Sequence, residues 1–227
     1  MTTGQAILHL IFPGTMTREI DVACLSPEET GRAARFRFPG DATRWIAYRA
    51  TLRLILGEEL ELSPAEVPLM LTAFGKPCLK PPHDRLHFNL SHSADAGIIA
   101  LCRDGPVGVD LEHLHRAQDL RECETTFCHL DEIRSLPLDH TARSVQLLRI
   151  WTAKEALLKA LGTGLSQPPE TVRIEFDQPV SRASSATLLS GIENQQLHEL
   201  HHPLLAQYQA FVAAPRSVTE ILVIHPG

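Results

Sequence analysis

The hexapeptide Val107-Gly108-Val109-Asp110-Leu111-Glu112 constrains this chain more than any other stretch. Apolar and acidic residues alternate in it, and an extended strand sends alternate side chains to opposite faces. Val107, Val109 and Leu111 are therefore expected to face a core, with Asp110 and Glu112 together on the other face. Two carboxylates at i and i+2 on one face repel unless water or a cation lies between them. Such a pair is either a solvated acidic face or a seat for a hard divalent ion. Mg2+ suits the second case, because it takes one or two carboxylates together with substrate phosphates.

The elements around this strand follow from local signals. Ser26-Pro27-Glu28-Glu29 is a capping box with proline at the first helical position, which predicts a helix running towards Phe36. Asp41 is expected to cap a second helix, where Trp45, Tyr48, Leu52, Ile55 and Leu56 recur at helical spacing and Gly57 serves as the stop. Ser63-Pro64-Ala65-Glu66 repeats the box for a shorter turn. Short strands are expected over 69–73, 86–90, 96–102 and 107–111, separated by glycine and proline. Beyond them the pattern predicts a long helix over 141–161, ended by Gly162, and strands over 172–176, 208–214 and 221–224. Each half thus reads helices first and strands afterwards. The expected fold is α+β, a pseudo-dimer of two similar lobes, residues 1–106 and 107–227.

Composition narrows the function classes. The 227 residues carry 21 basic against 27 acidic side chains, a net charge of −6, which argues against attraction to nucleic acid or anionic lipid. With 44% hydrophobic and 21% charged residues the chain reads as a soluble globular protein. Residues 6–12 are apolar but lack a basic leader and end at Pro13-Gly14, so no signal peptide is expected. No run reaches the ~20 apolar residues of a spanning helix. The five cysteines are scattered without a Cys-x-x-Cys pair and read as reduced thiols in a cytoplasmic protein.

Three further segments carry chemistry. In Trp151-Thr152-Ala153-Lys154-Glu155-Ala156-Leu157-Leu158-Lys159, residues Trp151, Glu155 and Lys159 share one helix face. Glu155 and Lys159 are either a surface pair worth ~0.3–0.5 kcal/mol or a third carboxylate and an ammonium facing a phosphate and its metal. Leu86-His87-Phe88-Asn89-Leu90-Ser91-His92-Ser93 alternates like a strand and ends with Ser91 beside His92. Without a Gly-x-Ser-x-Gly elbow this is a poor hydrolase signal, whereas hydroxyl, imidazole and backbone donors suit a phosphate. Gly75-Lys76-Pro77 is a tight turn presenting one lysine. His198, His201 and His202 lack metal-ligand spacing.

Taken in order, Gly75-Lys76-Pro77, Phe88–Ser93, Gly108–Glu112 and Trp151-x-x-Lys154-Glu155-x-x-x-Lys159 with Gly162-x-Gly164-Leu165 resemble the 4′-phosphopantetheinyl transferases of the surfactin-synthetase type, over roughly residues 26–165. The resemblance implies two α+β lobes with coenzyme A in the cleft between them. It implies transfer of the 4′-phosphopantetheine arm to a serine of an acyl or peptidyl carrier protein, in secondary metabolite biosynthesis, with Mg2+. It assigns Asp110, Glu112 and Glu155 to Mg2+, with Glu155 also the favoured general base. Lys159, His92, Ser91 and Asn89 fall to the pyrophosphate, with Lys159 and His92 acting in catalysis. Gly75 and Lys76 fall to the nucleotide end, and Arg32 to the 3′-phosphate with Arg44 as second candidate. Duplicated lobes would complete the site within one chain, so a monomer is expected.

Two departures stand out. Glu29 occupies a place where some relatives carry a second basic residue, and residues 116–138, which in the family contribute to carrier docking, offer only Phe127 and Asp131-Glu132 as landmarks. An acidic carrier meeting an acidic enzyme implies docking through a local apolar and basic patch. The competing readings are another Mg2+-dependent phosphodiester or phosphoryl-transfer enzyme, and an inactive relative that still binds a carrier.

Overall fold

The computed structural model describes residues 2–15, 22–176, 182–185 and 191–225. Strand β1 (Gln5–Ile11) precedes helices α1 (Pro27–Ala33) and α2 (Pro39–Leu60), and strands β2 (Leu69–Leu71), β3 (Pro77–Leu79), β4 (His87–Ser93), β5 (Ala96–Cys102) and β6 (Gly108–His113) follow. Short helices α3 (Glu124–Phe127) and α4 (Leu130–Ser135) lead into α5 (His140–Leu161). Strands β7 (Val172–Glu175), β8 (Arg182–Ser185), β9 (Gln195–Glu199), β10 (Tyr208–Pro215) and β11 (Glu220–Ile224) come last. The class is α+β. The first half nevertheless opens on a strand rather than a helix, because Ala6, Leu8 and Leu10 alternate into the core at period two.

The capping box of α1 forms with both bonds: Ser26 Oγ accepts from Glu29 N at 3.2 Å, and the Glu29 carboxylate accepts from Ser26 N at 2.8 Å. The helix stops at Ala33, short of Phe36. Helix α2 begins two residues before Asp41, with Pro39 at its first position and no side-chain cap, so Asp41 sits inside the first turn where its charge suits the helix dipole. It also runs through Gly57, and Glu61 takes the left-handed cap. Gly57 serves close packing instead of termination, since a Cβ there would lie 2.8 Å from the Leu62 carbonyl oxygen. In α5, Asp139 caps the start and Gly162, at φ 75°, closes the end.

Two sheets hold these helices, one in the order β11-β1-β5-β4 and the other β6-β10-β9. The last strand, β11, returns to pair parallel with β1. Val107, Val109 and Leu111 share a core with Leu8, Ile98 and Val212 from both sheets. Tyr48, Leu52 and Leu56 seat α2 on Phe88, Ile99 and Leu101 of the first sheet, while Ala153, Ala156 and Leu157 seat α5 on Phe211 and Ala213 of the second.

The facing edges of the two sheets are β4 and β6, and side chains join them. Asn89 Oδ1 accepts from Val109 N at 2.8 Å, Ser91 Oγ from Leu111 N at 3.3 Å, and Ser93 Oγ from His113 N at 3.0 Å. Among the described residues no helix is long and apolar enough to cross a membrane.

Candidate active site

The acidic face of β6 opens onto this seam. Asp110 is 3% exposed and Glu112 8%. Asp110 Oδ1 accepts from Lys159 Nζ at 2.6 Å and from Ser91 Oγ at 2.9 Å, so β4, β6 and α5 meet on one oxygen. Glu112 Oε2 accepts from Ser93 Oγ at 3.0 Å, and its other oxygen pairs with Arg116. Helix α5 can lie this close because Gly108 leaves room: a Cβ there would overlap the Ala156 carbonyl oxygen and the Ala160 nitrogen. Glu155, one turn before Lys159, is half-buried. Burial pushes its carboxyl up, Lys159 pulls it down, and the charges of Asp110 and Glu112 push it up again, leaving it above the usual carboxylate range.

These donors fit a hard divalent cation. All are oxygen, three carboxylates influence one another, and Asp110 Oδ2 is a buried acceptor without a hydrogen-bond partner. Among the described residues no group of three His, Cys, Asp or Glu side chains is drawn tightly enough to hold a metal ion as it stands. The carboxylates form an open cluster instead of a closed cage.

Beside the cluster, a cavity of about 210 Å3 between α2 and β4 is lined by Arg32, Arg49, Tyr48, Gly75, Asn89 and His92, among others. Four of the residues assigned to coenzyme A therefore line one space: Arg32, Gly75, Asn89 and His92. Arg32 lies over the Trp45 ring, 5.4 Å from its centroid. The His92 ring stacks on Tyr48 at 4.7 Å and 5°. Burial, with Lys159 and Arg44 nearby, lowers the His92 pKa and favours the neutral imidazole. Burial likewise pushes Tyr48 up to about 12, so its ring is a neutral platform.

The N-terminal profile of 4'-phosphopantetheinyl transferases matches residues 13–103, and that of the 4'-phosphopantetheinyl transferase superfamily matches 106–213. The 4'-phosphopantetheinyl transferase ffp of Bacillus subtilis is 30% identical over 159 residues, covering 69% of this chain and 70% of that protein. This chain belongs to the 4'-phosphopantetheinyl transferase family. The 4'-phosphopantetheinyl transferase HetI of Nostoc sp. is 38% identical over 153 residues, 65% of this chain and 64% of that protein, so the chain spans under two thirds of its length. A holo-[acyl-carrier-protein] synthase (AcpS) structure from Thermotoga maritima aligns with a TM-score of 0.39 and 18% identity, over 48% of this chain and 61% of that one.

Several residues of this family member sit differently from the motif reading. Lys76 does not stand open at the nucleotide end: its ammonium donates to Val107 O at 3.1 Å and Ala160 O at 3.2 Å, tying the β2–β3 turn to β6 and to the end of α5. Burial lowers its pKa to about 8. Arg44 lines a separate cavity with Phe12, Gly40 and Asp95, and pairs loosely with Asp41 at 3.9 Å. The Asn89 side chain is engaged at Val109 N, across the seam from the cavity's other polar residues.

Glu29 has a structural role in place of a basic ligand. It is buried between Arg53, at 2.6 Å, and Arg49, and so fastens α1 to α2 one turn from Arg32. Burial pushes the Glu29 carboxyl up, but bonds from Arg53, Ser26 and Arg49 outweigh it and hold the pKa below the ordinary value. Of the 116–138 landmarks, Glu132 is buried against the fully buried Lys154 at 2.7 Å, whose ammonium also donates to Phe127 O at 2.7 Å. Three residues of the candidate site carried no role in the sequence reading. Tyr48 entered it only as part of a helical stripe, Ser93 only as the end of the 88–93 motif, and Arg49 not at all.

Proposed function

We propose that this protein transfers the 4′-phosphopantetheine group of coenzyme A to a serine of an acyl or peptidyl carrier protein, in the surfactin-synthetase manner, converting apo to holo carrier and releasing adenosine 3′,5′-bisphosphate. The observation that carries the proposal is the junction of Lys159 Nζ, Ser91 Oγ and Asp110 Oδ1, next to a cavity lined by Arg32 and His92. It provides charge and donors for a pyrophosphate beside a space for the nucleotide.

In this reading Arg32, with Arg49 beside it, holds the 3′-phosphate, and the Gly75 turn borders the nucleotide. Lys159 supplies a point charge to the pyrophosphate. His92, kept neutral on Tyr48, donates a hydrogen bond without adding charge. Glu155 is the base that takes the proton from the carrier serine hydroxyl, either directly or through a water beside the cation. Asp110, Glu112 and Glu155 would hold Mg2+, which as a Lewis acid would offset charge on the leaving nucleotide. The lobes would be residues 1–106 and 107–227, with β11 crossing back and the β4–β6 seam as floor of the cleft. The protein would act as a cytoplasmic monomer in secondary metabolite biosynthesis.

The test is intact-mass spectrometry of an apo carrier protein incubated with this protein, coenzyme A and Mg2+, with EDTA in a parallel tube. The expected result is one phosphopantetheinyl group on the carrier serine, absent with EDTA. Coenzyme A breakdown without carrier modification would refute the proposal in favour of phosphodiester chemistry.

A further inference from the structure

We infer that Ser93 is a positioning residue for the reaction, its hydroxyl orienting the Glu112 carboxylate as the Ser91 hydroxyl orients that of Asp110. The inference rests on the metal site proposed above.

The two serines repeat one geometry. Each accepts a backbone N–H from β6 and donates its single hydrogen to the carboxylate of the residue just before that N–H. Ser91 accepts from Leu111 N at 3.3 Å and donates to Asp110 Oδ1 at 2.9 Å. Ser93 accepts from His113 N at 3.0 Å and donates to Glu112 Oε2 at 3.0 Å. Both serines and both carboxylates are buried, so no bulk water competes for these bonds. A hydroxyl rotor is free in direction until something occupies a lone pair. Here the amide does so, which turns the hydrogen towards the carboxylate.

The repeat has a mechanical consequence. Side chains two apart on β4 grip side chains two apart on β6, while the same oxygens close the seam between the sheets. The hydroxyls that hold the carboxylates thus also take part, with the Asn89 side chain, in aligning the two sheets. Partners that orient metal ligands from behind commonly change metal affinity 10- to 100-fold when removed. Glu112 keeps a second partner in Arg116, so the low end of that range is expected.

The experiment is an electron paramagnetic resonance titration with Mn2+, in the presence of coenzyme A and without carrier, on the wild type, Ser93→Ala and Ser93→Thr. Ser93→Ala is expected to weaken Mn2+ binding about 10-fold, with Ser93→Thr, which keeps the hydroxyl, within about threefold of the wild type. Coenzyme A binding measured in EDTA should stay unchanged. If Ser93→Ala does not fold, Ser93→Cys, of similar size but a weaker donor, is expected to weaken Mn2+ in the same direction. Mn2+ affinity within twofold of the wild type in the folded alanine or cysteine variant would overturn the inference, even if amide exchange at His113 quickens, because Ser93 would then only stitch the sheets. A threonine variant as weak as alanine would overturn it too. Absence of Mn2+ binding by the wild type would remove the metal reading itself, and the role of Ser93 with it.

Discussion

Helices α2 and α5 are both 22 residues long, both end on a left-handed residue, and each covers one of the two sheets. They differ in how they land. Under α2 the glycine in the sheet is Gly97, where a Cβ would run into the Tyr48 ring. Under α5 it is Gly108, where a Cβ would run into helix backbone at Ala156 and Ala160. Helix α2 therefore stands off its sheet on an aromatic ring, and that ring becomes the platform for His92. Helix α5 lies directly on its strand, which brings Lys159 within 2.6 Å of Asp110. One helix builds a wall of the cavity; the other delivers charge to a cluster of carboxylates.

The sharpest way to break this comparison is to fill both glycines. Gly108→Ala meets backbone that cannot yield, and the expected loss is about 3 kcal/mol or more, with transfer abolished. Gly97→Ala meets a side chain that can tilt, so about 1–3 kcal/mol is expected, with the Tyr48–His92 stack disturbed. Urea denaturation of both variants checks the order; equal losses would mean the two landings are alike.

Glu155→Gln should next separate chemistry from packing. The half-buried group keeps its shape, so stability should hold within about 0.5 kcal/mol while kcat falls about 10²–10⁴-fold. In the wild type the base must be deprotonated, so kcat/KM should rise with pH through a limb set by Glu155. Mg2+ held by the same carboxylate lowers its pKa, so that limb should move to lower pH as Mg2+ is raised, and it should vanish in the glutamine variant.

On the α1–α2 side the expected effect is on binding. Arg32→Ala should raise the KM for coenzyme A about tenfold, consistent with the loss of one charge-assisted contact of ~1.5 kcal/mol, and should leave kcat nearly unchanged. An equal loss with 3′-dephospho-coenzyme A would show that Arg32 does not read the 3′-phosphate.

The last expected effect is on stability alone and comes from Lys76, which ties the two sides together. Its folded pKa, about 8, lies below the value of 10.5 for a free lysine, so the unfolded chain binds more protons between those two points. Wild-type stability attributable to this group should therefore increase from pH 8 towards pH 10.5 and stay constant below pH 8. Lys76→Met should lack that increase, as urea midpoints at pH 7.5 and 9.5 would show. A matching rise in the variant would assign the pH dependence to another group.

Much of the site was legible because it is local. The alternation at 107–112 placed Val109 and Leu111 in the core and Asp110 and Glu112 on the opposite face, and the four-residue step put Glu155 and Lys159 on one helix face. The capping box at Ser26 and the stop at Gly162 were legible for the same reason. What stayed hidden lies between residues distant in the chain. Ser93 and Glu112, Lys76 and Ala160, and Tyr48 and His92 each meet only once β4, β6, α2 and α5 are assembled. The sequence marks residues 6–12 only as an apolar run, and the pairing of β1 with β11 lies beyond any local signal.

By itself, then, the sequence determined which faces are apolar, where the helices start and stop, and which side chains carry the charge. Those properties depend on backbone geometry repeating over two to four residues. Tertiary structure alone decided that Lys76 spends its ammonium on two carbonyls, that Glu29 is a clamp between Arg49 and Arg53, and that two serines hold two carboxylates across a seam without a backbone ladder. The physical reason is that a polar group, once buried, takes whichever partner the assembled core sets beside it.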